Sequence, residues 1–320
     1  MTNDLKNLAL QLRSADNILI TSHVNPDGDA VGSVLAAAYL LKAIGKRVFP
    51  VLEKPIPKRY AFLAGADTFE TLEQAKSANR TYGATLLLDA GDLDRMGDVQ
   101  SLRPDSTPLF LVDHHVADMQ IADAYHVSTK ASATCELLVD LFHELNIEIK
   151  PEAASALYTG VLTDTGQFRF TNTTPRALQA ASELVAAGAD PALIAREIYF
   201  REDPDSTAAL GRFLTRMEFH AGGKLVVSFI PLDEPRVDTE RFIDHLTAID
   251  GVEIAAMLRP LGDSVFKVSL RSTGDADVEK VARVLGGGGH VKAAGGTVKG
   301  EVESAKREVI EACKAQIAAL

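Results

Sequence analysis

The sequence predicts a two-domain α/β protein, with an N-terminal parallel sheet flanked by helices and a smaller C-terminal mixed α/β domain. Short apolar runs alternate with helical patterns through the first half, which is typical of a parallel sheet. A wholly helical stretch follows, and after Gly222 the pattern changes to more closely spaced strands. The length of 320 residues is compatible with two domains or with one large one.

In the first half, strands are predicted from short continuous apolar runs and helices from apolar residues at helical spacing. Thr174 and Pro175 mark the start of one helix, because they combine a cap residue with proline at the first helical position. The predicted strands are 17–22, 47–52, 84–89 and 108–113, and the predicted helices are 30–44, 132–145, 151–163 and 175–187.

The second half begins with a helical connector and continues as a small α/β domain. We therefore expect a first domain over 1–199, a helical linker over 200–223 and a second domain over 224–320. The predicted strands are 224–230, 252–259 and 265–271, and the predicted helices are 190–199, 206–217, 237–248, 277–285 and 302–319.

Composition limits the classes of function. Apolar residues make up 46% and charged residues 24% of the chain, which is ordinary for a globular protein and excludes a disordered one. The net charge of −11 disfavours binding to long duplex DNA or to an anionic membrane, since both need a cationic surface. Residues 251–320 carry +1 and the remainder −12, so the C-terminal part repels a phosphate least.

Two cysteines, Cys135 and Cys313, provide neither a disulfide framework nor a thiolate cluster for zinc. The N-terminus lacks the basic start and apolar run of a signal peptide, and the longest apolar stretch is too short to span a bilayer. The sequence therefore predicts a cytoplasmic protein.

Acidic and imidazole side chains follow three of the four predicted strands of the first domain. Because the carboxyl ends of parallel strands lie along one edge of a sheet, we expect these side chains to lie close together. A further acid, Asp164, ends a predicted helix before a turn at Gly166. The residues that follow the strands are His23, Asp27, Asp29, Asp89, Asp113, His114 and His115.

Several carboxylates close together repel one another, and divalent cations remove that repulsion. Carboxylates with a few imidazoles and no thiolate suit Mn²⁺ or Mg²⁺ better than structural zinc. Two such ions about 3.5–4 Å apart activate water for in-line phosphoryl displacement. Taken alone, Asp29 or Asp164 is explained as a turn or helix cap and His114–His115 as a surface pair; their occurrence together favours a metal site.

Four glycines at 286–289 precede His290 in the second domain. In isolation such a run is explained as a flexible linker. Here it follows a helical segment and precedes a second stretch of small residues. Glycines in that setting let backbone N–H groups approach a phosphate or a sugar, which predicts an anion-binding loop.

The segments SHVNPDGDAVGS, LLLDAGD, VDHH and LTDTGQFRF resemble, in order and spacing, the four motifs of the DHH phosphoesterase superfamily. The segment LRSTGDADVEKVARVLGGGGHVKAAGG resembles the glycine-rich motif of the DHH-associated C-terminal domain. Within the superfamily the chain is most similar to the nanoRNase branch, whose members are bifunctional oligoribonucleases and phosphatases of 3′-phosphoadenosine 5′-phosphate (pAp).

The resemblance implies a site for two Mn²⁺ ions, with Mg²⁺ or Co²⁺ as alternative metals. It implies that Asp89 bridges the ions, that His115 faces the substrate phosphate and that Asp113 orients the histidines. The other implied ligands are His23 and Asp27 on one ion and Asp29, His114 and Asp164 on the second ion.

The resemblance also assigns substrate binding to the second domain and places the active site in the cleft between the domains. The implied substrate-binding residues are Arg271, Gly287, Gly288, Gly289 and His290. The implied partners are short RNA oligonucleotides and pAp, with neither long duplex DNA nor a membrane among them; a homodimer is left open.

The expected reactions release nucleoside 5′-monophosphates from short RNA, and AMP with phosphate from pAp. Hydrolysis of cyclic di-AMP or its linear product is the alternative that the same site allows. An inorganic pyrophosphatase would not carry the GGGGH segment, and a nucleotide-binding regulator without turnover would have lost metal ligands, whereas all six implied positions are filled.

Overall fold

A computed structural model describes residues 5–234, 237, 239 and 241–320 of the chain. The chain divides into two compact units, Met1–Arg201 and Glu202–Leu320. Each unit combines a β-sheet with helices, which confirms the predicted fold class. No helix among the described residues combines the length and the apolar character needed to cross a membrane.

The first unit has, within its described residues, a parallel sheet of six strands. The strands are β1 (Ile18–Thr21), β2 (Val48–Leu52), β3 (Glu70–Thr71), β4 (Ala84–Leu88), β5 (Leu109–Asp113) and β6 (Ala124–Val127). They lie in the order β3-β2-β1-β4-β5-β6. The helices are α1 (Leu5–Ser14), α2 (Gly28–Ala43), α3 (Leu72–Ser77), α4 (Thr134–Glu144), α5 (Pro151–Asp164), α6 (Pro175–Ala186) and α7 (Pro191–Tyr199).

Strands β1 and β4 are buried on both faces of this sheet. Ile18 and Ile20 pack into the largest apolar core, whereas Leu19 between them packs into a core on the opposite face. In the same way, Leu86 belongs to the largest core and Leu87 to another. Burial on both faces favours apolar side chains, which explains why these strands are nearly continuous apolar runs in the sequence. Their buried polar residues are Thr21 and Thr85.

Four elements of the first unit were not predicted. Strand β3 has only two residues, and β6 is an edge strand with a mostly half-buried, mixed polar and apolar sequence. Helices α1 and α3 are short, and α1 is recognisable afterwards by the buried stripe of Leu8, Ala9 and Leu12. Elements without a long apolar run or strong periodicity give little signal in the sequence.

Helix α2 lies against α5 at very short range, and glycines make this approach feasible. A Cβ atom on Gly32 would overlap the backbone carbonyl of Ala156, and one on Gly160 would overlap Cys135 Sγ. Helix α2 is buried over nearly all of its circumference, as expected for a helix that is apolar on every side. Its N-cap is Asp27, which accepts hydrogen bonds from the backbone N–H groups of Asp29 and Ala30.

The second unit has, over the residues described, a mixed sheet of six strands in the order β11-β12-β10-β9-β8-β7. The strands are β7 (Glu218–His220), β8 (Leu225–Phe229), β9 (Ile254–Gly262), β10 (Val265–Ser272), β11 (Gly288–His290) and β12 (Ala293–Lys299). Strands β8 and β9 are parallel, and the other neighbours are antiparallel. The helices are α8 (Pro204–Leu214), α9 (Phe242–Thr247), α10 (Val278–Val284) and α11 (Val302–Ala318).

The two faces of this sheet are covered to different extents. On one face, α10 and α11 form a core with alternate residues of β8, β9, β10 and β12. On the other face, α8 and α9 pack against Val226, Ala255 and Met257 of β8 and β9. The remaining part of that second face, over β10, β12 and β11, carries half-buried and exposed residues.

The expectation of a glycine loop at 286–290 is corrected, because Gly288–His290 forms strand β11 at the edge of the sheet. The turn before this strand covers Leu285 and Gly286, and Gly286 has φ of +69°. A Cβ atom on Gly287 or Gly289 would overlap the backbone of β12. These two glycines therefore allow an edge strand to pair closely, which a search for flexible segments does not anticipate.

Replacing Gly32 by alanine should destabilise the protein, because the new methyl group overlaps the α5 backbone. We expect a cost of about 1–3 kcal/mol from overpacking, which exceeds the ~1 kcal/mol gain in helix propensity. The matched control is Gly211→Ala in α8, where no atom lies within 4 Å of the added Cβ. Urea denaturation compares the two variants, and the interpretation fails if Gly32→Ala is as stable as Gly211→Ala.

Candidate functional site

The carboxyl edge of the first sheet brings together residues that are far apart in the sequence. His23 follows β1, Asp89 follows β4, and His114 follows β5. Asp164 reaches the same place from the last turn of α5. The topology therefore assembles in space the residue types that the sequence places at separate strand ends.

Asp89 lies at the centre of this cluster. Its Oδ2 is 3.5 Å from His23 Nε2, and its Oδ1 is 3.5 Å from His114 Nε2 and 3.4 Å from His115 Nδ1. The residue is 1% exposed and has a left-handed backbone with φ of +56°. Such a conformation is uncommon outside glycine and concentrates at functional sites, where the surrounding structure enforces it.

The side chains form three groups that could hold a metal ion. In each group the donor atoms lie within 4.8 Å of one another. Asp89 belongs to two of the groups, as does His114. The groups are His23, Asp27 and Asp89; Asp29, His114 and Asp164; and Asp89, His114 and His115.

These donors fit a hard divalent cation. Carboxylate oxygens outnumber imidazole nitrogens in the cluster. The buried Cys135 thiol forms a weak hydrogen bond to the backbone carbonyl oxygen of Asp29. Asp29 and Asp89 are almost fully buried, and burying anions without compensating positive charge is very unfavourable. The six predicted metal residues are all brought together in this cluster.

The pKa values of the acids reflect burial and the electrostatic repulsion between neighbouring carboxylates. Burial and the charges of Asp89 and Asp164 raise the pKa of Asp29 well above its usual value. Burial also raises the pKa of Asp164, to about 6. Burial works in the same direction on Asp89, yet hydrogen bonds from His115 and His23 outweigh it and lower the Asp89 pKa. Asp89 therefore remains ionised while its neighbours resist ionisation.

The imidazoles respond in the opposite sense. Burial disfavours the charged form of His114, but contacts with Asp164, Asp29 and Asp89 prevail and raise its pKa to about 10. For His115, the hydrogen bonds to Asp113 and Asp89 prevail over burial and raise the pKa to about 9. Without a metal ion, protons on these rings therefore partly neutralise the acids.

The N-terminus of α4 is a part of the site that sequence reasoning missed. The backbone N–H groups of Thr134 and Cys135 donate to the two oxygens of Asp29, at 2.6 and 2.9 Å. The Thr134 hydroxyl donates to Asp89 Oδ1 at 3.2 Å. The N-cap residue is Ala133, which has no side chain to cap the helix, so Asp29 fills that role. Ala133 lies inside the predicted helix over 132–145, so the sequence carried no signal for this contact.

Asp113 accepts hydrogen bonds from both the backbone N–H and the ring Nδ1 of His115, each at 2.8 Å. The carboxylate is fully buried at the end of β5. The resemblance implies that Asp113 orients both histidines. Within the described part of the chain, the hydrogen bonds of its carboxylate go to His115, so the structure supports this role for His115. Asp113 has the geometry of a residue that sets the tautomer and rotation of the His115 ring.

The predicted substrate-binding residues lie in the second unit, and the strand register places two of them on one face. Arg271 of β10 is directly opposite Ala293 of β12, and Ala293 is directly opposite His290 of β11. Directly opposite residues of antiparallel strands project from the same face. Arg271 and His290 therefore form a row with a small alanine between them.

Comparison with known proteins identifies related sequences over both units. Residues 17–161 match the DHH family, N-terminal domain, and residues 222–319 match the DHHA1 domain. The chain is 35% identical over 308 residues to the bifunctional oligoribonuclease and PAP phosphatase NrnA of Thermus thermophilus, covering 94% of this chain and 90% of that protein.

Two further similarities concern a different activity and the fold. The chain is 24% identical over 319 residues to the cyclic-di-AMP phosphodiesterase PdeA of Listeria monocytogenes, covering 95% of this chain and 48% of that protein. The crystal structure of an exopolyphosphatase-related protein from Bacteroides fragilis has a TM-score of 0.91 at 24% identity, covering 97% of this chain and 96% of that one. The second similarity supports the fold alone.

Metal binding should release protons and strengthen as the pH rises. The raised pKa of His114 keeps its ring protonated at pH 7 in the metal-free protein, and a metal ligand has to be deprotonated. We expect at least one proton to be released at pH 7.5 when the Mn²⁺ ion that His114 would hold binds. Calorimetric titration in two buffers of different ionisation enthalpy measures this number. Equal enthalpies in both buffers, with an affinity that does not change between pH 6 and 8, would contradict the assignment.

Thr134→Val should weaken Mn²⁺ binding about tenfold, because it removes the hydroxyl that orients Asp89. The matched control is Thr159→Val in α5, which loses a buried hydroxyl that donates to the Ser155 carbonyl and touches no acid of the cluster. Both dissociation constants are obtained by titration calorimetry. Equal affinity of the two variants would show that Thr134 does not position Asp89.

Proposed function

The chain belongs to the DHH family of phosphoesterases, and we therefore propose that it is a manganese-dependent enzyme acting on short RNA and on pAp. The products would be nucleoside 5′-monophosphates from RNA, and AMP with phosphate from pAp. The similarity to NrnA over nearly the whole chain supports this substrate class. Both units have counterparts in that match, so the proposal covers metal binding by the first unit and substrate binding by the second.

One observation above all supports a two-metal phosphoesterase site, namely the position of Asp89. Its two carboxylate oxygens face different imidazoles, His23 on one side and His114 on the other. Each side continues into its own set of donor atoms. A carboxylate in this position has the arrangement expected of a ligand shared by two ions.

We assign His23 and Asp27 to one Mn²⁺ ion, with Mg²⁺ or Co²⁺ as alternatives, and Asp89 to both ions. Asp29, His114 and Asp164 would hold the second ion. Two ions in this site would supply a water of lowered pKa and positive charge next to the phosphoryl oxygens. Asp29 also bonds to the N-terminus of α4, which fixes its carboxylate before any ion binds.

In this proposal His115 contacts the substrate, and Asp113 positions His115. Asp113 holds the Nδ1 side of the His115 ring, so Nε2 is the nitrogen that we assign to a phosphoryl oxygen of the substrate. A positioned imidazolium stabilises the negative charge that develops during phosphoryl transfer. Asp113 is buried and keeps the ring from rotating away.

The second unit would bind the nucleotide on the face that carries Arg271 and His290. The next row on this face consists of Ser269, Gly295 and Gly288, which are directly opposite one another in the register. A Cβ atom on Gly288 would enter open space, so packing within the chain does not require glycine there. Small residues at these positions leave a flat surface on which a sugar or base can lie.

A second candidate function is hydrolysis of cyclic di-AMP or of its linear product. The similarity to PdeA over 95% of this chain favours it. The same metal site would serve both candidates, since RNA and cyclic di-AMP are phosphodiesters and the phosphomonoester of pAp is cleaved by the same displacement at phosphorus. The substrate, and not the chemistry, distinguishes the two candidates.

The deciding experiment compares kcat/KM for pAp, pApA, cyclic di-AMP and pyrophosphate with purified protein and Mn²⁺. We expect pAp and pApA to be hydrolysed best. Because pApA is also the linear product of cyclic di-AMP, the rates on pAp and on cyclic di-AMP are the ones that distinguish the two candidates. Asp89→Asn keeps the shape of the side chain and should reduce every rate on the order of 10³-fold, because it removes the shared charge. A dominant rate on cyclic di-AMP would favour the second candidate, and near-normal turnover of Asp89→Asn would exclude the two-metal assignment.

His290→Ala should reduce kcat/KM for pAp and pApA by about 1–3 kcal/mol in free energy, the size of a charge-assisted hydrogen bond. Mn²⁺ affinity should not change, because His290 is outside the metal ligands. His245→Ala is the matched control, since this exposed histidine of α9 lies in the same unit. A loss of manganese from His290→Ala, or unchanged kinetics, would refute the assigned role.

A further inference from the structure

Over strands β10, β12 and β11, the second face of the C-terminal sheet carries half-buried and exposed residues. Lys267, Thr297, Gly288 and His290 are exposed there, whereas the adjoining part over β8 and β9 is covered by α8 and α9. Residues at odd positions of β10 point to this face, because Phe266, Val268 and Leu270 belong to the core on the other one. We call this surface, defined by the rows that start at Lys267, Ser269 and Arg271, the open face.

Arg259 and Lys267 lie directly opposite each other on β9 and β10. Like charges in this position destabilise an antiparallel pair of strands. Thr297 of β12 is directly opposite Lys267 and continues the same row with a hydroxyl group. Two cations and a hydroxyl therefore project side by side from the open face.

Neither cation of this row has an acidic partner among residues 5–234, 237, 239 and 241–320. Several other basic side chains of the second unit do have such partners. These pairs are Arg212 with Glu234, Lys224 with Glu253, Arg283 with Glu279, and Lys306 with Glu218. Arg259 and Lys267 are distinguished by lying directly opposite each other, and in a chain of net charge −11 an anionic ligand would explain this concentration of positive charge.

We propose that Arg259, Lys267 and Thr297 bind a backbone phosphate of an oligonucleotide. The inference rests on the proposed function and deepens it, since it adds a second phosphate site to the one assigned to Arg271 and His290. Arginine and lysine supply charge-assisted hydrogen bonds to phosphate oxygens, and threonine supplies a neutral donor. A bound phosphate would attract both cations and so offset the repulsion between them.

The spacing of the two rows identifies the class of ligand. Lys267 and Arg271 are four residues apart on one strand, which corresponds to about 13 Å. The two phosphates of pAp are separated by a single ribose and are too close together to occupy both rows. Phosphates two nucleotides apart in an extended strand can span this distance. The Lys267 row therefore recognises oligonucleotides and not mononucleotides.

The row between them leaves room for such a strand. Ser269, Gly295 and Gly288 carry small side chains or none, so the surface between the two cationic rows has no bulky obstacle. Gly295 also approaches the β10 backbone closely, because a Cβ atom there would lie 2.8 Å from the Val268 carbonyl oxygen. A nucleic acid chain crossing the open face would rest on these backbones.

The test measures binding separately from hydrolysis. Fluorescence anisotropy in EDTA gives the affinity of 5′-phosphorylated RNA of two and of four nucleotides for the full chain. Lys267→Glu should weaken binding of the tetranucleotide about tenfold and lower its salt slope by about 0.7 for the lost phosphate contact. Binding of the dinucleotide and kcat/KM for pAp with Mn²⁺ should change less than twofold.

Arg307→Glu is the matched control, because it makes the same charge change at an exposed residue of α11, which packs on the other face of the sheet. It should leave all three quantities unchanged. Lys267→Glu should fold at least as stably as the wild type, since it places an acid opposite Arg259. A thermal melt of each variant verifies that any loss of binding is not unfolding.

Each outcome decides the proposal. Tetranucleotide binding of Lys267→Glu equal to that of the wild type refutes the phosphate site, whatever the enzyme hydrolyses. An equal loss with Arg307→Glu, or an equal loss for pAp and the tetranucleotide, also refutes it, because the effect would then be one of net charge or of the whole unit. If the wild type hydrolyses neither pAp nor RNA, the proposed function fails, and the anisotropy measurement still decides whether the open face binds a second phosphate.

Discussion

The first unit is organised around one electrostatic constraint, the burial of several carboxylates next to one another. Asp29 and Asp89 are almost inaccessible to water, and Asp164 is close to both. Each would be costly to ionise alone in such a place. The imidazoles of His114 and His115, the N-terminus of α4 and, in the proposed function, two divalent ions supply the compensating positive charge.

This constraint also explains the packing of the helices around the cluster. Gly32 allows α2 to lie close to α5, and Gly160 leaves the space that the Asp29 carboxylate occupies next to the N-terminus of α4. A Cβ atom on Gly160 would lie 2.5 Å from Asp29 Oδ1. The same glycines that give a dense core therefore determine where the carboxylate is held. A substitution at Gly32 or Gly160 would therefore change both the stability of the core and the position of the Asp29 carboxylate.

The second unit is different, because its proposed substrate-binding surface is the exposed part of its sheet. A sheet with one face packed by helices and the other packed over half its width exposes the backbones of β10, β12 and β11. Glycines serve two purposes there. Gly287 and Gly289 allow β11 to pair closely with β12, whereas Gly288 leaves surface open to a ligand. The positive charge of this face contrasts with the acidic remainder of the chain.

The sequence by itself determined the fold class, the order of most of the elements and the clustering of acids and histidines. Buried parallel strands are continuous apolar runs, and their carboxyl ends meet for topological reasons, so His23, Asp89 and His114 were predictable from strand ends alone. Tertiary structure decided what depends on contacts between distant segments: the bonds from the α4 N-terminus to Asp29, and the strand of Gly288–His290 in place of a loop. It also decided which cations share one face. Register between strands fixes such neighbours, and a linear pattern does not contain the register.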